Sequence, residues 1–193
     1  MKALLGDAYL KIGRLQDARD YFAADLEDPE WHLKHLATSY LIETLGVSEL
    51  ASVPDFAHAA SVDFSKVESA EDVVQRAVEE AAKSGPDSLL WYNAASRLTE
   101  LHEFRLTAEF SMIAAVLGDP VDPESLALAI VRWLSLAADA HPRDGALATS
   151  QLLLQMAAHR YGSSILAYYE DYEVPGEMLA IITEMIEFFA KSL

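Results

Sequence analysis

An all-α fold is predicted for this 193-residue chain by three observations. Ala and Leu dominate a composition that is 52% hydrophobic, with only 8 Gly and 7 Pro. Apolar residues recur at three- and four-residue spacing, and alternating β-branched runs are scarce. Small residues, Gly6, Ala8 and Ala18, stand where two helices have to touch. A chain of this length buries roughly 70% of its unfolded surface, enough for one compact domain or a short repeat array.

Residues 1–13 place Leu4, Leu5, Ala8, Tyr9 and Ile12 at helical spacing, and Gly13 and Arg14 turn the chain into a second amphipathic stretch, 15–26. Gly6 and Ala8 let the first helix approach, Ala18 does the same from the second, and Tyr9, Leu15, Phe22 and Leu26 fill the interface. Pro29 closes this unit and opens a helix over 29–45, which Gly46 ends. Its Leu33, Leu36, Ala37 and Tyr40 repeat the spacing of Lys2, Leu5, Gly6 and Tyr9. From 47 to 69 the pattern decays: Pro54, Phe56, Val62 and Phe64 are scattered among Ser, Asp and His, an irregular connection with room for one short helix.

Periodicity returns over 71–84, with Ser69 as N-cap. A hairpin follows, Leu90 to Leu98 and then Phe104 to Ala114, stopped by Gly118, Asp119 and Pro120. Two longer helices, 123–140 and 144–160, flank His141 and Pro142; their apolar faces are wide enough to need packing on both sides. The chain finishes with 162–172 and 177–193, the last segment aligning Met178, Ile181, Ile182, Met185 and Phe189. This last helix either caps the array or seals a homodimer, and capping is the first choice. Trp31, Trp91 and Trp133 fall at apolar helical positions and are expected in the core.

Leu5, Gly6 and Tyr9, then Gly13, Ala18 and Phe22, follow the order of a tetratricopeptide (TPR) repeat, which residues 1–29 resemble. Val74, Val78, Ala81 and Pro86 have the separations of the family's second helix, and Leu90 to Ala114 looks like a degenerate unit in which Thr107 and Ser111 replace the usual Ala and aromatic. The resemblance implies a single helical-repeat domain over 1–193, a TPR-like solenoid or superhelix of about five α-hairpins with a C-terminal capping helix. Its parts would be repeats at 1–46, the irregular connection at 47–69, degenerate repeats at 70–120, and longer helices with the cap at 121–193. Because the pattern starts at the first residue, a longer parent chain with further repeats is an open alternative.

The resemblance also implies a concave groove that holds a peptide or protein. Its lining positions correspond to Asp7, Leu10 and Lys11 in the first unit, Lys34, Thr38 and Leu41 in the second, and Tyr92, Ser96 and Thr99 in the Trp91 unit. TPR domains that clamp chaperone tails use a basic, Asn-rich set at these positions. Asp7 stands where Asn is usual and the Trp91 unit offers no Lys or Arg, which argues against such a clamp.

The formal net charge is −17, from 14 Lys plus Arg and 31 Asp plus Glu. Phosphate neutralisation needs a basic face, so nucleic acid is not an expected partner. An acidic surface serves solubility and can also attract a basic partner. There is no cysteine, hence neither a disulfide framework nor a thiolate zinc site. Asp7 interrupts the first apolar run and Arg132 the longest, 126–138, so neither a signal-peptide core nor a membrane span is expected. A cytoplasmic location is the expectation.

Chemistry-bearing patterns are sparse. His32 and His35 stand at i and i+3, with Asp28 and Glu30 just before them, but a metal site needs a third ligand and no His-Glu-x-x-His pattern occurs. His102 and Glu103 align with a hairpin turn, and His58, His141 and His159 have no nucleophile at a recognisable spacing. No nucleophile elbow, phosphate loop or dinucleotide fingerprint is present. The run from Tyr168 to Glu173 either anchors a basic partner or ends a helix with half-buried rings. The expected function is therefore a non-catalytic protein-interaction scaffold or adaptor, with no catalytic residue, cofactor or metal assigned. Two alternatives stand beside it: an acidic neutralising protein, an immunity factor or inhibitor, and a helical metal protein or enzyme using His32 and His35.

Overall fold

A computed structural model describes residues 3–50, 62–85, 87–118, 123–139, 145–171 and 174–191. Among the described residues there are ten α-helices and no strand: α1 (Ala3–Lys11), α2 (Leu15–Phe22), α3 (Pro29–Leu45), α4 (Ala70–Ser84), α5 (Ser88–Glu100), α6 (Phe104–Leu117), α7 (Pro123–Asp139), α8 (Ala146–Met156), α9 (Gly162–Asp171) and α10 (Gly176–Lys191). The all-α expectation holds. No helix among the described residues is long and apolar enough to cross a membrane.

Local chemistry sets several helix ends. The Asp28 carboxylate accepts from the Glu30 and Trp31 amides at 2.9 and 3.2 Å, and Pro29 supplies a φ already suited to a first helical turn. Gly46 closes α3 in the left-handed conformation, φ 66°. Ser69 Oγ caps α4 through the Asp72 amide, and Asp87 caps α5 through the Leu89 and Leu90 amides. The second helix is shorter than the expected 15–26: it ends at Phe22 and tightens into a 3₁₀ turn, Ala23–Asp25, which leaves Leu26 exposed instead of in the interface.

Consecutive helices pack as pairs: α1 with α2, α2 with α3, α5 with α6, α6 with α7, and α7 with α8. α3 also meets α6 and α8, so contacts do not run only between chain neighbours. The α1–α2 approach depends on Gly6, where a Cβ would stand 2.4 Å from Phe22 Cε1. Ala8, by contrast, is exposed, and Leu5 and Ile12 beside it are 45% and 52% exposed. Gly13 (φ 76°) turns the chain between α1 and α2, and its carbonyl accepts from the Leu50 amide at 2.9 Å, while Ser48 accepts from the Gln16 amide at 3.0 Å. The stretch after α3 is thus fastened across that turn with Leu50 buried; residues 51–61, including Pro54, Phe56 and His58, lie outside the described residues.

Trp91 and Trp133 are fully buried, and Trp31 is half-buried beside Tyr21 and Phe22. Trp133 Nε1 donates to the Ala108 carbonyl at 3.1 Å, and Arg105 lies over its ring while also donating to the Tyr40 hydroxyl. This joins α3, α6 and α7. In α4 the buried set is Val73, Ala77 and Ala81, with Val74 and Val78 half-buried, one position off the family spacing because the face turned to α5 decides the register. In α10 Ile182 and Ile186 are buried, whereas Ile181 and Phe188 are 51% and 63% exposed. The helix packs on α8, α9 and the π-helical turn Ala157–Tyr161 through the edge that carries Ile182 and Ile186.

Candidate functional site

The inward face of α5, Leu90, Trp91, Ala94, Ala95 and Leu98, is buried, with Trp91 meeting Phe110 of α6 edge to face at 4.9 Å between centroids. The other face carries Tyr92, Ser96 and Thr99 at helical spacing, the first two half-buried and Thr99 exposed. That face is bridged to α7 and α9. The Tyr92 hydroxyl donates to Glu124 Oε1 at 3.5 Å, and the Tyr168 hydroxyl donates to the same oxygen at 3.2 Å. Toward the other end of α5, Arg132 Nη2 donates to Thr99 Oγ1 at 3.2 Å, and Arg132 Nη1 donates to Ser111 Oγ. Arg132 stands eight positions after Glu124 on α7, about 12 Å along the helix axis. The result is a polar row across α5, α7 and α9, anchored on α6 through Ser111, with a carboxylate near one end and a guanidinium near the other.

Neighbouring groups hold this row in place. Ser96 Oγ donates to the Tyr92 carbonyl at 3.1 Å and Thr99 Oγ1 to the Ala95 carbonyl at 2.9 Å. Tyr169 is buried and donates to the Ala127 carbonyl at 2.7 Å, tying α9 to α7 and fixing where its neighbour Tyr168 stands. Burial raises the Tyr169 phenol above its ordinary range, so its neutral form is the one that is packed.

Beside Ser96 a cleft of about 350 Å³ opens between α5 and the segment before α4, lined among others by Val62, Phe64, Asn93, Arg97 and Glu100. Arg97 shapes its wall by donating to the Val67 carbonyl at 2.8 Å and pairing with Glu100. At its rim, hydrogen bonds from Ser65 hold the Asp63 carboxyl below its ordinary range. The cleft and the polar row share Ser96, which makes them one continuous surface.

The other groove positions expected from the sequence lie elsewhere. Leu10, Thr38 and Leu41 are buried, and Thr38 donates to the Lys34 carbonyl at 2.6 Å. Lys34 is buried too, with Nζ 2.7 Å from Asp7 Oδ1 and 2.9 Å from Glu30 Oε1. Desolvation works to lower its pKa, and the two carboxylates outweigh that and raise it. Asp7 is half-buried in this contact, and Lys11 alone of the six is exposed. Asp7 and Lys34 join α1 to α3, and with Leu10, Thr38 and Leu41 buried the six do not form an open groove; Tyr92, Ser96 and Thr99 are the expected positions that the structure brings together on an accessible face.

His32 and His35 are half-buried, and His35 Nδ1 stands 3.1 Å from the Arg19 carbonyl oxygen. Among the described residues no group of three or more His, Asp or Glu is spaced to hold a metal ion. His102 and Glu103 lie exposed in the α5–α6 turn. Nothing in the sequence marks Glu124, and Arg132 stands out only as a charge within an apolar run; that interruption is the available signal for the row. The chain matches no family model, no curated protein and no solved structure.

Proposed function

We propose that this chain is a non-catalytic, TPR-like helical scaffold that receives a peptide or protein segment on the face formed by α5, α7 and α9. In this reading α5 and α7 act as first helices of successive hairpins, α6 and α8 as their second helices, and α10 as the cap. The observation that carries it is the convergence of Tyr92 from α5 and Tyr168 from α9 on Glu124 of α7, which aligns aromatic rings and polar groups of three helices across one accessible surface. The adjoining cleft at Ser96 extends that surface.

The test begins with peptides selected against the purified chain from a displayed library. Hydrogen exchange with a selected peptide bound is expected to slow in α5, α7 and α9. Ser96→Arg is expected to weaken peptide binding at least about tenfold by filling the centre of the surface, with unchanged circular dichroism. Protection confined to another face, or undiminished binding to Ser96→Arg, would remove the groove.

The net charge of −17 favours a second reading, a protein that masks a basic partner. Affinity for such a partner should fall steeply as salt is raised; salt-independent affinity would exclude it.

A further inference from the structure

We infer that Glu124 is the seat for a lysine or arginine side chain of the bound segment, an inference that rests on the groove proposed above. Glu30, Glu100 and Glu109 each have an internal cation, Lys34, Arg97 and Arg105 respectively. Among the described residues, no cation lies within ion-pair distance of Glu124. Its Oε1 instead accepts from two phenols, which are neutral donors supplied by different helices. They orient the carboxylate, which lies in the first turn of α7, and bring no formal positive charge to it. A carboxylate has acceptor sites on both oxygens, so Oε2 keeps capacity for a further donor.

The surroundings suit a cation on an aliphatic stem. The half-buried rings of Tyr92 and Tyr168 supply apolar surface for methylene groups, while the charged head reaches the carboxylate. The excess of negative charge over the chain draws such a side chain in and disfavours an acidic segment. Glu124 is exposed, so a bound segment can reach it without displacing a helix.

The experiment uses the full chain labelled with ¹³C at tyrosine rings and hexalysine as the probe, with hexaglutamate and added NaCl as controls. Hexalysine is expected to shift the Tyr92 and Tyr168 signals saturably, and the controls to leave them in place. Glu124→Gln, which keeps an oxygen acceptor for the phenols, should weaken this binding about fivefold. Glu79→Gln, on the exposed face of α4, removes the same charge and should change nothing. Equal weakening by both variants would mean diffuse attraction and overturn the seat, as would unmoved tyrosine signals. A library-selected peptide that protects α5, α7 and α9 yet binds Glu124→Gln as tightly as the parent would overturn the seat and leave the groove standing. Failure of the groove itself would appear as protection on a different face.

Discussion

The Lys34 ammonium lies 2.7 Å from the carboxylate of Asp7, a residue 27 positions earlier, and this contact joins α1 to α3. Glu30, one turn before Lys34, supplies the second carboxylate. Removing the ammonium takes a cation from two carboxylates at once, so Lys34→Met is expected to cost about 3 kcal/mol in urea unfolding. Adding Glu30→Leu to that variant should restore much of the loss, because two apolar side chains then replace a broken pair. A loss that the second substitution deepens would show that the carboxylate, not the missing cation, governs stability there.

Tyr169 predicts an alkaline weakness. Its phenol is raised by burial from an ordinary 10.0, so the folded state favours the neutral form. That contribution is fully present below pH 10.0 and is lost as pH climbs through the raised value. Lys34, also raised, acts in the same direction through its protonated form. Tyr169→Phe should cost about 1 kcal/mol at neutral pH, the worth of its hydrogen bond to Ala127, and should flatten the alkaline fall in stability measured by denaturant titration. An alkaline limb unchanged by this substitution would rule out the buried phenol as its source.

Gly6→Ala sets two known effects against each other. Helix propensity alone would favour Ala by about 1 kcal/mol. The new methyl would meet the Phe22 ring at 2.4 and 2.7 Å, and Phe22 is fully buried with little room to retreat. Overpacking of this kind costs about 1–3 kcal/mol, so the variant should melt below the parent. A higher melting temperature by calorimetry would mean that α1 shifts away from α2 without penalty.

The two edges of α10 should respond differently to truncation. Ile182 is fully buried, and Ile182→Ala is expected to cost about 2–5 kcal/mol. Ile181 is 51% exposed, and Ile181→Ala should stay near 0.5 kcal/mol in the isolated chain. Sedimentation of Ile181→Glu with Phe188→Glu tests the homodimer expected through this helix: a parent that dimerises and a variant that does not would place the contact on this edge. A monomeric parent would exclude it.

Helix positions were legible where the signal is local. Asp28, Pro29 and Gly46 delimit α3, and Ser69 caps α4, because each acts on amides or dihedrals within a few residues. The register of α4 was not legible: Val73, Ala77 and Ala81 compete with Val74, Val78 and Ala81 as apolar sets, and only the packing on α5 decides between them. The same division holds at the candidate site. Tyr92, Ser96 and Thr99 share a face by spacing alone, whereas their neighbours depend on the tertiary fold. Glu124 lies 32 residues from Tyr92 and 44 from Tyr168, distances over which residue spacing carries no information. Lys34 follows the same rule: a surface position by spacing becomes an interior one when two carboxylates accompany it.

The reach of α3 bears on how the molecule comes apart. In an array whose units touch only their neighbours, an end can peel away while the middle persists. Here one early helix leans on α6 and also on α8, so loosening either flank withdraws support from the other. Melting should therefore sweep through both halves together, with amides in α3 and α8 exchanging at matched rates, and the native contacts that close the longest loops should set the pace of refolding.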